Sequence, residues 1–155
     1  MQRSAVLVKP DGLQRGLIGE IINRFERKGL KLIGLKMTKL TDQQLDEWYA
    51  HHKDKPFFPK LKGFMMQTPV IAMVWDGLDA IDTIRKLVGV TKGREAEGGS
   101  IRGDFAMSVS NNLIHASDSI ESADKEINIL FADNELFDYA SAVDLLIYSE
   151  EERGE

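Results

Sequence analysis

The stretch Asn111-Asn112-Leu113-Ile114-His115-Ala116-Ser117-Asp118-Ser119 decides the fold, because it joins a strand-like run to the start of a helix. Its last three residues are types that cap helix N-termini, and apolar residues follow at helical spacing over 120–131. The pattern predicts a helix that begins at Ser119 or Ser122. Functional side chains are expected where the loop meets this helix.

His115 is the best candidate for a nucleophile among the three histidines. An imidazole has an ordinary pKa of about 6.5, so most of it is neutral at pH 7 and one nitrogen has a free lone pair. Ser119, Ser122 and Glu126 share one stripe of the predicted helix, which allows Glu126 to reach His115. A carboxylate bonded to one ring nitrogen leaves the other free to attack. The alternative, which these residues alone favour, is a loop histidine satisfied by a nearby serine.

Length and composition are those of one globular domain spanning 1–155. Hydrophobic residues make up 43% and charged residues 29% of the 155 residues, which is enough to bury a sizeable core. The net charge of −5 gives no general attraction to nucleic acid, so an anionic ligand must be held by local cations. Cysteine is absent, which excludes disulfides and thiolate metal sites. The first residues lack the apolar run of a signal peptide, and we expect a cytoplasmic protein without a membrane partner.

Strand-like and helix-like segments alternate along the chain. Apolar runs and two-residue alternation predict strands at 5–8, 33–37, 70–75 and 105–109. Apolar residues at helical spacing predict helices at 16–28, 41–49, 60–66 and 80–88. This order predicts an α+β sandwich in which an antiparallel sheet has helices on one face.

Two segments lack this regularity. Residues 89–103 contain several glycines and charges, which predicts a long loop with a role in function or assembly. The segment 133–148 is apolar enough to pack, whereas 149–155 is charged and is expected to be frayed.

A phosphate site would have to be built from side chains. The two glycine-rich phosphate loops, G-x-x-x-x-G-K-[ST] and G-x-G-x-x-G, do not occur. The candidate ligands are Lys9 at a strand end, Arg85 on a helix border and Arg102 after the glycine-rich loop, with Thr91 nearby. Each of these cations taken alone is more often a solvated surface charge.

Aromatic residues and the other two histidines allow two interpretations. Phe57 is a candidate platform for a nucleotide base, although an aromatic residue there is more often part of the core. Tyr49 and His52 are either surface groups or phosphate ligands. The adjacent pair His51-His52 lacks the spacing of metal ligands, so zinc has little support.

Several sequence blocks follow one another along nearly the whole chain. They are Lys9-Pro10-Asp11-Gly12, Gln14-Arg15-Gly16-Leu17, Arg102-Gly103-Asp104-Phe105, Asn112-Leu113-Ile114-His115, Ser117-Asp118-Ser119 and Glu121-Ser122-Ala123. Together they resemble nucleoside diphosphate kinase. The resemblance implies a ferredoxin-like fold and a ping-pong reaction, in which a nucleoside triphosphate phosphorylates a histidine that then phosphorylates a diphosphate. It also implies broad base and sugar specificity.

The resemblance implies a role for each matched position. The nucleophile matches His115, which is oriented by Glu126 and supported by Ser117. Lys9 matches the lysine that contacts the ribose 3′-hydroxyl and the travelling phosphate, and Asn112 matches the asparagine on the sugar. The other nucleotide-binding positions are the phosphate ligands Arg85, Thr91, Arg102 and His52, the base contacts Phe57 and Val109, and two further lining residues, Tyr49 and Leu61.

The resemblance also implies a cofactor and partners. Mg²⁺ is expected near Asp118, held through water, because this ion prefers substrate phosphates and water to a cage of protein ligands. The expected substrates are nucleoside di- and triphosphates, including ATP, GTP and deoxynucleotides. We expect a homo-oligomer, with a hexamer favoured over a tetramer.

Two positions depart from the family pattern. Ala116 stands where glycine is usual, and its methyl group restricts the backbone beside the nucleophile. Lys92-Gly93 replaces Asn-Pro in a loop that builds subunit contacts in hexameric members, and loss of the proline raises loop entropy. Oligomer stability is therefore the property most affected.

Two rival function classes remain. One is a nucleotide-binding regulatory module that has lost turnover, with Ala116 tilting the imidazole. The other is a nucleic-acid-binding or scaffolding role, which the net charge of −5 disfavours.

Overall fold

A four-stranded antiparallel sheet forms the centre of the molecule, which the computed structural model describes over residues 1–154. Its strands are β1 (Gln2–Val8), β2 (Lys31–Thr38), β3 (Val70–Gly77) and β4 (Ile114–Ala116). They lie in the order β2-β3-β1-β4, and every neighbouring pair is antiparallel. β1 is a central strand, and its Leu7 lies opposite His115 of β4. The predicted antiparallel sheet is confirmed.

Helices of different lengths connect the strands. In chain order they are α1 (Pro10–Gln14), α2 (Ile18–Lys28), α3 (Asp42–Trp48), α4 (Phe58–Met65), α5 (Ala80–Val88), α6 (Ile101–Phe105), α7 (Ile120–Leu130), α8 (Asp144–Ile147) and α9 (Glu150–Arg153). Short 3-10 turns lie at Ala50–His52, Gly93–Glu95 and Asp133–Glu135. Every helix within residues 1–154 is too short or too polar to span a bilayer.

Local sequence signals set the ends of the main helices. Gly29 ends α2 with a φ of 96°, a left-handed conformation that glycine adopts without steric cost. The Thr41 hydroxyl accepts a hydrogen bond from the Gln44 amide at the start of α3. The Ser119 hydroxyl accepts from the Ser122 amide, so α7 begins at the first of its two predicted starts.

Helices cover both faces of the sheet, which corrects the prediction of helices on one face. Successive residues of β1 point to opposite faces, and all of Ala5–Val8 is buried. Val6 and Val8 pack in a core with residues of α2 and α5. Ala5 and Leu7 pack in a second core with residues of α3, α4 and α7. Hydrophobic runs of this kind occur in strands that are buried on both sides.

The strand predicted at 105–109 is wrong. Ser100 caps the helix α6 by accepting from the Gly103 amide, and Phe105 ends that helix. The backbone that follows bonds to the preceding loop, since the Gly93 amide donates to the Ser108 carbonyl. Met107 is 74% exposed. The place beside β1 is taken by β4, so a short alternation of apolar residues was not enough to define a strand.

The strand β2 forms one edge of the sheet, and the C-terminal segment covers part of it. The Phe137 amide donates to the Ile33 carbonyl, and the Tyr139 hydroxyl donates to the Leu32 carbonyl. Leu35 and Met37, farther along the strand, are exposed. Beyond this segment α9 is a single exposed turn, and Glu155, the last residue of the predicted domain and tail, lies outside the described residues.

Candidate active site

His115 is held by the central strand and faces the helix α7. Its strand β4 pairs with β1, and its side chain is 23% exposed. Glu126 lies on the buried face of α7, and its Oε1 atom is 3.0 Å from His115 Nε2. The stripe predicted from sequence therefore does bring the carboxylate to the imidazole.

Glu126 is surrounded by hydrogen-bond donors. The Ser117 hydroxyl donates to Glu126 Oε2 over 2.7 Å, and the indole N–H of Trp48 donates to Oε1 over 3.2 Å. Ser117 itself accepts from the Ala5 amide over 3.1 Å. A carboxylate that accepts on both oxygens is stabilised in its ionised form.

The two ring nitrogens of His115 have different surroundings. Nε2 is buried against Glu126, and among the described residues no group forms an aligned hydrogen bond to it. Nδ1 is the nitrogen that the carboxylate does not engage. Hydrogen bonds in ligand-free active sites are often poorly aligned and tighten when the substrate binds.

A polar cluster, formed by Lys9, Arg85, Thr91, Arg102 and Asn112, lies next to β4. Lys9 Nζ donates to Asn112 Oδ1 over 2.7 Å. The Asn112 amide donates to the carbonyls of Thr91 and Val109, at 2.9 and 3.0 Å. Both donors of Asn112 are therefore used, and its oxygen keeps one lone pair for a ligand.

Arg102 of the polar cluster bonds to the backbone on both sides of Leu113 and next to His115. Its guanidinium is buried and donates to the carbonyls of Asn112, Gly89 and Ile114, at 3.2, 3.0 and 2.6 Å. A guanidinium has five N–H groups, so two remain for an anion. The exposed Arg85 is close enough to act on the charge of Arg102.

Positive charge is crowded in the polar cluster. Burial, and then the charge of Arg102, lower the pKa of Lys9 to about 8, although Asp11 acts in the opposite direction. Burial, and then the charge of Arg85, lower the pKa of Arg102 to about 10. Cations that destabilise one another in this way are stabilised by a bound anion. The cluster therefore favours a phosphate group.

An aromatic row extends from His115 and comprises Trp48, Tyr49, His52 and Phe57. Trp48 contacts the His115 ring edge-on, with ring centroids 5.0 Å apart, and Tyr49 stacks on Trp48 at 5.9 Å. His52 follows at 6.3 Å from Tyr49 and 5.3 Å from Phe57. Phe57 is 50% exposed, which leaves its ring available to a ligand.

Members of the aromatic row carry polar atoms with specific environments. Burial, and then the Glu126 carboxylate, raise the pKa of Tyr49 to about 12, so its hydroxyl stays protonated. Burial, followed by the neighbouring His51 and Lys55, lowers the pKa of His52. His52 Nδ1 is buried and has no hydrogen-bond partner within residues 1–154.

Comparisons with known proteins agree with this geometry. A family model described as nucleoside diphosphate kinase matches residues 2–136. The chain belongs to the nucleoside diphosphate kinase family. Members of this family are phosphotransferases that act on nucleotides, and the chain is an enzyme of that class.

Similar members of the family span almost the same length. The nucleoside diphosphate kinase of Parabacteroides distasonis is 51% identical over 152 residues, which are 98% of this chain and 99% of that protein. The nucleoside diphosphate kinase of Staphylothermus marinus is 54% identical over 138 residues, which are 89% of this chain and 98% of that protein. A halophilic nucleoside diphosphate kinase from Halobacterium salinarum, solved in complex with CDP, has a TM-score of 0.93 and 44% identity. Its alignment covers 96% of this chain and 99% of that one, so this kinase shares its ferredoxin-like fold.

Three further predicted site residues are Val109, Leu61 and Asp118. The Val109 side chain is exposed in the loop after α6. Leu61 lies on α4 and packs against the second core, where Tyr49 also packs. Asp118 is exposed three residues after His115, and hydrogen bonds from Ser122, then from Ser119, lower its pKa, as does the charge of Arg85.

The unusual Ala116 of this family member has an ordinary strand backbone. It lies in β4 opposite Val6, and its side chain is buried in the first core. Its φ is not positive, so the added methyl group causes no backbone strain. The tilt of the imidazole proposed under the regulatory-module hypothesis therefore has no support from the backbone.

Sequence reasoning missed two residues that contact or brace the predicted site. Trp48, which donates to Glu126, carries only the general signal of an aromatic residue on the buried face of α3. Asp11 accepts from the Leu113 amide over 3.0 Å, while the Lys9 amide donates to the Leu113 carbonyl over 2.9 Å. Leu113 has a φ of 73°, which is uncommon for a residue with a side chain. Such contacts depend on distant parts of the chain and leave no local pattern.

Proposed function

We propose that this enzyme transfers the terminal phosphoryl group of a nucleoside triphosphate to a nucleoside diphosphate through a phosphohistidine on His115. The supporting observation is the 3.0 Å approach of Glu126 to His115 Nε2, which leaves Nδ1 as the free nitrogen. A partly buried histidine with a carboxylate beside one ring nitrogen has the arrangement of an activated nucleophile, and the polar cluster bonds to the backbone next to it through Arg102 and the Ile114 carbonyl.

The first half-reaction starts from the neutral ring of His115. The lone pair of Nδ1 forms a bond to the terminal phosphorus, and the bond from that phosphorus to the bridging oxygen breaks with its electrons on the departing diphosphate. The ring becomes positive while Nε2 keeps its proton, and the Glu126 carboxylate balances this charge. In the second half-reaction, a terminal oxygen of a different diphosphate forms a bond to the transferred phosphorus, the bond from that phosphorus to Nδ1 breaks, and its electrons return to the ring, which becomes neutral again. This is a ping-pong scheme.

The polar cluster would stabilise the transferred group. Phosphoryl transfer relies on positioning and on cations around the phosphate oxygens, and the forked donors of Arg85 and Arg102 suit that charge. We assign Thr91 and His52 to the same phosphates. Lys9 and Asn112, which bond to each other, would meet the sugar hydroxyl and the travelling phosphate together.

The outer end of the aromatic row would hold the base. Phe57 and Val109 are both about half exposed, and Tyr49 and Leu61 would line the site beneath them. Stacking on an aromatic ring is tolerant of base identity, so purine and pyrimidine nucleotides are expected substrates, with either sugar. The Halobacterium relative, which was solved with the pyrimidine nucleotide CDP, supports this breadth.

Mg²⁺ is the proposed cofactor, and Asp118 is the residue that would hold it. Its carboxylate is exposed, and its lowered pKa keeps it ionised. Within residues 1–154 no group of three or more acidic, histidine or cysteine side chains could hold a metal, which fits an ion bound mainly by substrate phosphates and water. When bound, the ion would neutralise part of the phosphate charge.

We further propose a cytoplasmic homo-oligomer, with a hexamer favoured over a tetramer, in which each chain forms one domain over 1–155. The edge strand β2 supports assembly, because its exposed Leu35 and Met37 lie beside an open row of backbone groups. The net charge of −5 argues against nucleic acid as a partner.

Labelling with γ-³²P ATP tests the phosphohistidine. The expected result is a protein-bound phosphate that is labile to acid, stable to alkali, and discharged by GDP or CDP. His115→Ala should abolish the label, whereas His51→Ala, which changes an exposed histidine, should keep it. Nucleotide binding without any label on the unmodified chain would contradict the proposal and favour a regulatory module.

A further inference from the structure

We propose that Trp48 is a positioning residue for phosphoryl transfer, because its indole N–H keeps Glu126 as an ionised acceptor and so keeps the imidazole proton of His115 on Nε2. This inference rests on the proposed phosphohistidine function. Trp48 would not touch the nucleotide and would act through Glu126 and the ring of His115.

The Oε2 side of Glu126 has one favoured hydrogen-bond direction. The Ala5 amide donates to the Ser117 oxygen over 3.1 Å, which occupies one of its lone pairs. The hydroxyl has a single hydrogen, and the Glu126 oxygen at 2.7 Å is closer to it than the Ala5 carbonyl at 3.3 Å. The shorter contact is the favoured one, and in it Ser117 donates to Oε2.

The other oxygen, Oε1, is also a hydrogen-bond acceptor, and its donor is Trp48. An indole N–H can only donate, so the 3.2 Å contact makes Oε1 an acceptor as well. Donors on both oxygens stabilise negative charge there, so this arrangement favours the carboxylate over the protonated acid. Next to that carboxylate, 3.0 Å away, Nε2 is favoured as the protonated nitrogen, and the lone pair then lies on Nδ1.

Packing allows Trp48 to position the ring as well as the charge. It is the last residue of α3 and is buried in the second core. Its ring plane lies at 84° to that of His115, an edge-on arrangement that restricts tilting of the imidazole. One side chain thus contacts both members of the pair from an element that neither occupies.

The test removes the donor and keeps an aromatic ring. Trp48→Phe should slow single-turnover phosphorylation of His115 about 10-fold or more, because a hydrogen bond to a charged group is lost. The KM for ATP should change by less than about twofold, because Trp48 would not contact the bound nucleotide. The ¹⁵N shifts of the His115 ring should show the Nε2–H tautomer in the unmodified enzyme and a mixture with Nδ1–H in the variant.

The only other tryptophan supplies a matched control. Trp75 is fully buried, and its indole nitrogen has no hydrogen-bond partner within residues 1–154. Trp75→Phe should lower stability and leave both the labelling rate and the tautomer unchanged. If Trp48→Phe does not fold, benzothienylalanine at position 48 keeps the bicyclic shape, replaces N–H by sulfur, and should give the same two changes.

Each other outcome overturns the inference. A folded variant that labels at the normal rate shows that the indole donor is dispensable, and slower labelling with an unchanged tautomer shows that Trp48 acts through packing alone. Failure of the unmodified enzyme to form phosphohistidine would instead remove the proposed function itself. Labelling of the unmodified protein therefore distinguishes failure of this inference from failure of the proposed function.

Discussion

At the scale of single residues, the site is controlled by which atoms donate and which accept. Glu126 accepts hydrogen bonds on both oxygens and lies 3.0 Å from His115 Nε2. Lys9, in contrast, is a hydrogen-bond donor that lies among other cations. Burial, and then the charge of Arg102, lower its pKa to about 8. Its charge is therefore sensitive to pH in a range that kinetics can reach.

The lowered pKa of Lys9 predicts an alkaline limit to activity. The cationic form is needed for phosphate, and it is lost as the pH rises through about 8 in the free enzyme. The kcat/KM for ATP should therefore fall above about pH 8, approaching tenfold for each further pH unit, and its pH profile should report this pKa. Lys9→Arg should remove this limit, because a guanidinium stays charged to much higher pH.

The expected fall in kcat/KM at alkaline pH is assigned to Lys9 and not to His115. Loss of a proton from an imidazole frees the lone pair that would attack phosphorus, so it cannot account for a rate that falls as the pH rises. A kcat/KM that stays constant between pH 8 and about 9.5 would show that Lys9 does not supply the required charge.

At the scale of elements, the segment between α5 and β4 is held by arginines. Arg15 donates to the Phe105 carbonyl over 2.6 Å, and Arg24 donates to the Gly99 carbonyl over 2.9 Å. Arg94 donates to the Met107 carbonyl over 3.0 Å. Side-chain donors thus satisfy backbone groups that a strand would have paired. This pattern explains how the segment can be ordered without the usual Asn-Pro.

Gly93 fits this segment more closely than a proline would. A Cβ atom at this position would lie 2.4 Å from the Ala106 carbonyl oxygen, and the Gly93 amide donates to the Ser108 carbonyl. Gly93→Ala should therefore lower the free energy of unfolding by about 1–3 kcal/mol, and Gly93→Pro by more, since it also removes the donor. Urea denaturation at equal protomer concentration measures this change.

Gly98 gives the control for that substitution. It belongs to the same segment, its φ is not positive, and a Cβ there would meet no atom within 4 Å. Gly98→Ala should leave stability within about 0.5 kcal/mol of the original. Equal effects at the two glycines would mean that loop entropy, and not the contact with Ala106, governs this segment.

At the scale of the whole molecule, the open edge at β2 is the main unpaired surface of the sheet within residues 1–154. The C-terminal segment binds the first part of this strand, through Phe137 and Tyr139. The second part presents Leu35 and Met37 to solvent. Exposed edge strands with apolar side chains are places where a second chain can pair.

If the chains assemble through β2, a charged residue placed on this strand should reduce the mass of the oligomer. The unmodified protein should have several times the 17.4 kDa of one chain, six times for the favoured hexamer. Met37→Glu should give smaller particles, because the new carboxylate would be buried in the interface. Ile120→Glu is the matched control, since Ile120 is 58% exposed and Met37 60%, and it should leave the mass unchanged. Sedimentation velocity measures both, and equal masses for all three proteins would exclude this edge.

Much of the architecture could be predicted because its signals are local. Helical spacing, the Gly29 cap and the capping residues Thr41 and Ser119 act within a few residues of one another, so α2, α3 and α7 followed from the sequence. The helical spacing of Ser119, Ser122 and Glu126 likewise predicted that Glu126 would reach His115. Matched blocks along the chain added the family and its nucleotide chemistry.

Other features depended on which distant segments meet. Which segments pair with β1 depends on contacts between distant parts of the chain, and sequence periodicity does not predict them. These contacts set the strand order, the helices on both faces and the exclusion of 105–109 from the sheet. The same holds for Trp48 and Asp11, whose partners are 78 and 102 residues away. By itself the sequence determined the elements and the nucleophile's near neighbours, because these depend on local spacing. Only the tertiary structure decided which donors surround the carboxylate, because those contacts exist only after the two cores have packed.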